Sequence, residues 1–139
     1  MSLASGVRLV RFSRDGRYFS YSSNSSGRQE VYLSPFPPTG EKVRVSTAGG
    51  FGPRWSRDTP ELFYLSPAGQ MMSVAVQTKP TLRVQSPVSL FTVNPVHGWR
   101  EFDVAPGNRF LALVLESRAG GQPVTVVLNW SPDTQTATR

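Results

Sequence analysis

A chain of 139 residues with 38% apolar side chains, including eight Phe, four Tyr and three Trp, carries enough material to bury a core, which excludes a disordered segment. It has no cysteine, which excludes a disulfide framework and a thiolate metal site, and no apolar run approaches the roughly 18–20 residues of a membrane-spanning helix. A net charge of +6 and a pI of about 10.5 raise nucleic acid or an acidic surface as partners, but Arg8, Arg11, Arg14, Arg17 and Arg28 are scattered over several strands and turns, so nucleic acid is not the expected partner.

Gly and Pro supply 12 residues each and are spread along the whole chain, the pattern of many short strands with frequent turns. Residues 1–6 read as a disordered or tag-derived N-terminus, without the charged and then apolar regions of a secretory signal. An apolar strand is predicted over residues 7–12, a turn at Asp15-Gly16, a second strand over 18–22, a third over 30–34 and a fourth over 42–46. The next strands are predicted over 52–55, 62–65, 71–76 and 88–92, with Asp58-Thr59-Pro60 and Ser66-Pro67-Ala68-Gly69 as turns. Residues 101–104, 110–115 and 124–130 form the last three strands, and 131–139 a flexible polar tail.

These strands repeat. Phe12-Ser13-Arg14-Asp15-Gly16-Arg17-Tyr18-Phe19-Ser20-Tyr21 recurs 43 residues later as Trp55-Ser56-Arg57-Asp58-Thr59-Pro60-Glu61-Leu62-Phe63-Tyr64. A weaker third copy, Val104-Ala105-Pro106-Gly107-Asn108-Arg109-Phe110, has a turn one residue shorter. Period-2 alternation and closely spaced Gly and Pro leave no room for helices of 10–12 residues, so a repeat of this length fits a four-stranded sheet.

At these residues the sequence resembles the TolB-like, WD-repeat-like β-propellers, whose unit centres on a Trp/Phe-Ser-Pro-Asp-Gly turn, with Arg14 and Arg57 standing where that family has Pro. Val31-Tyr32-Leu33-Ser34-Pro35-Phe36-Pro37, Val45-Ser46-Thr47-Ala48-Gly49-Gly50 and Glu61-Leu62-Phe63-Tyr64 are similar, more narrowly, to the C-terminal propeller of bacterial Ser/Thr protein kinases of the acidobacterial type. The resemblance implies an all-β fold of about three four-stranded antiparallel blades, half of a six-bladed ring, at about 7–50, 51–96 and 97–130. It specifies a fold, because propellers host unrelated activities, and no kinase signature is present in the chain.

The expected function is a non-catalytic interaction or scaffold module for protein, peptide or glycan. A channel-site lyase or glycosidase is the alternative. First strands would line a propeller channel, which makes Arg8, Arg54 and Arg100, with Trp99 in the loop beside it, the candidate ligand-binding residues. Asp15, Gly16 and Asp58 read as turn residues, because an Asp side chain caps its own turn and Gly tolerates positive φ. His97 reads as a loop residue, and Glu101 with Asp103 lacks a further supporting carboxylate, so no catalytic residue, metal or cofactor is assigned. Three blades leave two apolar faces bare, which predicts a homodimer, or the missing blades of a larger propeller, as the first partner. The chain is expected to be soluble, in the cytoplasm or, within a larger exported protein, the periplasm.

Overall fold

The computed structural model describes residues 6–93, 102–115 and 123–129. Among these the chain is all-β, with no helix, and forms three antiparallel sheets in chain order. The first sheet joins β1 (Arg8–Phe12), β2 (Tyr18–Ser23), β3 (Glu30–Pro35) and β4 (Val43–Arg44) side by side. The second joins β5 (Phe51–Trp55), β6 (Glu61–Leu65), β7 (Gln70–Gln77) and β8 (Arg83–Val84), and β9 (Val88–Thr92) also pairs with β7. The third joins β10 (Phe102–Ala105), β11 (Arg109–Leu115) and β12 (Pro123–Asn129). The strands fall close to their predicted positions, and the first and third sheets have the four and three strands read from the sequence, but the second has five rather than four. The extra strand has a simple cause. β7 is eight residues long, so its outer edge takes two partners, β9 beside Gln70–Ser73 and β8 beside Val76–Gln77.

Each sheet alternates side chains between two faces, and the middle sheet buries both. Leu62, Tyr64, Val74 and Val76 meet Val31, Leu33 and Val45 of the first sheet. Phe63, Leu65 and Met71, on the opposite face, meet Phe102, Val104, Phe110 and Ala112 of the third. The Phe63 and Phe110 rings lie edge to face with centroids 4.8 Å apart. A third cluster stacks Phe19, Tyr21 and Tyr32 on the far face of the first sheet, with Val7 against it and the Lys42 ammonium 4.8 Å from the centre of the Tyr32 ring.

The sequence repeat is also a backbone repeat. Between Arg8 and Arg11 the β1–β2 register slips by one residue, and between Phe51 and Arg54 the β5–β6 register slips in the same way. Inside the first bulge Leu9 has φ 57°, and inside the second Gly52, 43 residues on, has φ 61°. The left-handed conformation is open to Gly and costs an L-residue about 1–2 kcal/mol, so the first sheet carries a strain that the second avoids. The buried serines Ser20 and Ser22 answer the first bulge, donating to the Arg11 and Arg8 carbonyls at 3.3 Å. In the third copy Val104 pairs with Phe110 where Trp55 pairs with Leu62, so its turn is one residue shorter, as the sequence indicates. Of the predicted N-terminal tail 1–6, Gly6 is a placed turn residue with φ 92°, and the rest lies outside the described residues, as does the tail 131–139.

Gly52→Ala is expected to lower stability by about 1–2 kcal/mol, because it places a Cβ on a left-handed backbone. Leu9→Gly removes that strain and is expected to stay within about 1 kcal/mol of the parent. Urea denaturation midpoints of the two variants check the pair.

Candidate functional site

The β1–β2 and β5–β6 turns begin at equivalent serines, both buried, and each serine organises its own turn. Ser13 closes the first with its N–H on the Tyr18 carbonyl (2.9 Å), and its Oγ accepts from the Tyr18 N–H (3.1 Å). Ser56 repeats the closure on the Glu61 carbonyl (2.9 Å), and its Oγ accepts from the Asp58 and Thr59 N–H groups at 3.2 and 3.0 Å.

The aspartates of these turns do more than cap. Asp15 accepts from Ser13 Oγ at 2.8 Å and from the Arg17 N–H at 3.1 Å, which is the predicted capping role. Its other oxygen accepts from Thr78 Oγ1 at 2.6 Å, across the gap to the end of β7 in the second sheet. Asp58 behaves differently: its Oδ2 accepts from the Gly107 N–H in the β10–β11 turn, while Ser56 does the local capping. Ser56 Oγ also donates to Asn108 Oδ1 at 2.5 Å, and Asn108 Nδ2 donates to Thr59 Oγ1 at 3.3 Å. The two aspartates therefore tie each turn to the next sheet. Gly16, with φ 70°, provides the backbone that lets the first turn close.

Between these turns and the end of β7 lies a groove of about 490 Å³. Trp55, Pro60 and Val76 supply apolar surface, and Arg14, Gln77 and Lys79 stand around it with Ser13, Asp15, Ser56, Thr59 and Thr78. The Trp55 indole is fixed by its Nε1–H, which donates to the Arg11 carbonyl of the first sheet at 3.3 Å. The Thr78 hydroxyl and, secondarily, the Ser13 hydroxyl, the Arg17 N–H and the Lys79 charge hold the Asp15 carboxyl down at about 2 against the opposing cost of its slight burial. The groove hydroxyls of Ser13, Ser56, Thr59 and Thr78 are all committed to turn or inter-sheet hydrogen bonds.

Of the sequence-predicted ligand residues, Arg8 is exposed on β1 and Arg54 half-buried on β5, and neither lines this groove. Trp99 and Arg100 lie outside the described residues. The register makes Arg11, not Arg8, the counterpart of Arg54: Arg11 pairs with Ser20 and Arg54 with Phe63, 43 residues apart. Their guanidinium groups adopt the same pose, donating to the preceding carbonyls of Val10 (2.9 Å) and Pro53 (3.1 Å). The third-sheet counterpart is Asp103, so the position does not carry one charge through the repeat.

The sequence reading also missed Glu30, which is fully buried. It accepts from the Arg28 guanidinium at 2.7 Å, from the Gly49 N–H at 3.1 Å and from Ser46 Oγ. Gly50, next to that N–H, must be glycine for space, since a Cβ would lie 2.8 Å from the Tyr64 ring and 3.0 Å from Val31. Burial, with a smaller contribution from the Glu30 charge, pushes the Tyr64 hydroxyl up to about 12. Glu30 thus anchors the crossing segment between the first two sheets. The available signal was a lone carboxylate opening the apolar run Val31-Tyr32-Leu33, two residues from Arg28.

Among the described residues no group of three His, Cys, Asp or Glu side chains is arranged to hold a metal ion, and no helix is long and apolar enough to cross a membrane. No family model matches the chain, and no curated protein matches it either.

The folded-state value of Asp15 is about 2, below its ordinary 3.8, so its contribution is full above about pH 4 and is lost as the pH falls through about 2. Because the side chain is exposed, that contribution is less than about 1 kcal/mol. The stability gap between wild type and Asp15→Asn, from urea titrations across this range, is expected to close at the acid end. Glu30→Ala is expected to cost about 3 kcal/mol at neutral pH, since it strands the buried donors of Ser46 and Gly49.

Proposed function

We propose that the chain is a run of three blades of a TolB-like, WD-repeat-like β-propeller and acts as a non-catalytic interaction scaffold for a protein, peptide or glycan ligand. The observation that carries the architecture is the recurrence of one inter-sheet contact. Trp55 begins the second sheet's packing against the first, and Val104, at the same place in the third sheet, packs against the second. First strands are spatial neighbours as well, β5 lying against both β1 and β10, which supports a reading of strands gathered about an axis.

The binding reading rests on the groove. Its hydroxyls and its carboxylate hold the sheets together, which leaves an indole surface flanked by Arg14, Lys79 and Gln77 as the groups a ligand meets. Such a set stacks on a flat or apolar body and attracts negative charge; it has no pair of groups positioned to move a proton. Labelled protein applied to peptide and glycan arrays tests this. Retention on a defined subset is expected, with a loss of at least about tenfold for the double charge reversal Arg14→Glu, Lys79→Glu, corresponding to about 1.4 kcal/mol. Retention on neither array, or retention indifferent to the reversal, overturns the assignment of the groove.

A further inference from the structure

In a regular strand, residues three apart stand on opposite faces. The bulge in β1 cancels that rule for Arg8 and Arg11. Arg8 pairs with Ser22 and Arg11 with Ser20, two residues apart on β2, so both arginines stand on the face of those serines. Ser20 and Ser22 in turn lie across from Leu33 and Val31, which pack on the second sheet. Two residues of strand span about 7 Å, which spaces the two arginines so that both guanidinium groups can reach one ligand. Leu9 holds this placement with a left-handed backbone, φ 57°, that an apolar L-residue adopts only under constraint. Both arginines are exposed, because β1 is the edge strand of its sheet. The surroundings supply no counter-charge. β1, β2 and β5 contain no Asp or Glu, and Glu30 on β3 is taken up by Arg28, Ser46 and Gly49. Among the described residues neither arginine has an ion pair, and the Arg11 guanidinium donates only to the adjacent Val10 carbonyl.

From this we infer that Arg8 and Arg11 form a binding site for a small phosphate compound with at least two negative charges, of the diphosphate or phosphate-monoester class. Like charges side by side on one face of a sheet repel each other, and a dianion between them removes that repulsion. Each guanidinium fork takes two oxygens of a tetrahedral oxyanion, so two forks suit a group with oxygens on both sides better than a single carboxylate. Leu9 and Val10, 41% and 42% exposed between the arginines, offer apolar surface to the body of such a ligand. The site is local. Arg14 and Arg17 follow the buried Ser13, in the turn at the far end of β1, with the Asp15 carboxylate between them in sequence. That interruption favours a compact anion over a nucleic-acid strand, which is held along a continuous basic track. Neither Arg8 nor Arg11 lines the groove, so the inference is independent of the groove's ligand.

Isothermal titration calorimetry of the full chain with inorganic pyrophosphate tests it, at about 150 mM salt, where exposed charges more than about 8 Å apart are largely screened. One pyrophosphate per chain is expected. Arg8→Gln and Arg11→Gln should each weaken binding at least about tenfold, with urea midpoints near the parent's because both side chains are exposed. Arg8→Lys should weaken it less, since lysine keeps the charge and loses the fork. Arg14→Gln and Arg17→Gln should leave the affinity within about twofold of the parent. A single-stranded oligonucleotide is the second arm. The absence of pyrophosphate binding, or an affinity indifferent to Arg8→Gln or Arg11→Gln, overturns the inference. So does an oligonucleotide that outcompetes pyrophosphate and is weakened equally by all four glutamine substitutions, since the arginines then act as one diffuse basic surface.

Discussion

Leu62, Tyr64 and Val74 leave the second sheet on one side, and Phe63, Leu65 and Met71 leave it on the other. A sheet that is apolar on both faces has to be covered twice, and the rest of the molecule is organised around that requirement. The first and third sheets supply the covers. At roughly 1.5–3 kcal/mol for each large apolar side chain fully buried, these two interfaces dominate the stability of the fold. Hydrogen bonds at the turns then fix how the sheets align, because apolar packing alone does not set the relative position of two surfaces.

That division of labour accounts for the polar residues of the repeat. Ser13, Ser56, Asp15 and Asp58 are spent on closing turns and reaching the next sheet, through Thr78 in one case and Gly107 in the other. Glu30 performs a similar task deeper in the molecule, where it holds the Ser46–Gly50 segment as the chain passes from the first sheet to the second. The groove beside Trp55 is a by-product of this alignment, opening where two turns and the end of β7 fail to fill the space between sheets.

Strand positions, turns and the repeat itself were legible because they depend on local pattern. Alternation marks a half- or fully buried strand, and Asp-Gly marks a tight turn. Arg8 shows where such reading stops. Chosen as a basic residue of a first strand, it is not the counterpart of Arg54: the 43-residue offset gives that place to Arg11, and the equivalent bulges in β1 and β5 preserve it. Leu9 gives no local hint of that bulge, since left-handed backbone is expected at Gly, as at Gly52, and not at Leu. Glu30 was illegible for another reason: a carboxylate at a strand end is ordinarily solvated, and only the donors brought from Arg28, Ser46 and Gly49 make its burial tolerable.

By itself the sequence determined an all-β chain built from a repeated unit of about 43 residues, since period-2 alternation and turn chemistry act within a few residues of one another. Only the tertiary structure decided which of the equivalent strand ends are covered, because Phe12, Trp55 and Val104 read alike as apolar strand ends. What separates them is whether another sheet stands in front. Docking of one sheet on the next buries the Val104 position and partly covers Trp55, and its absence leaves Phe12 exposed.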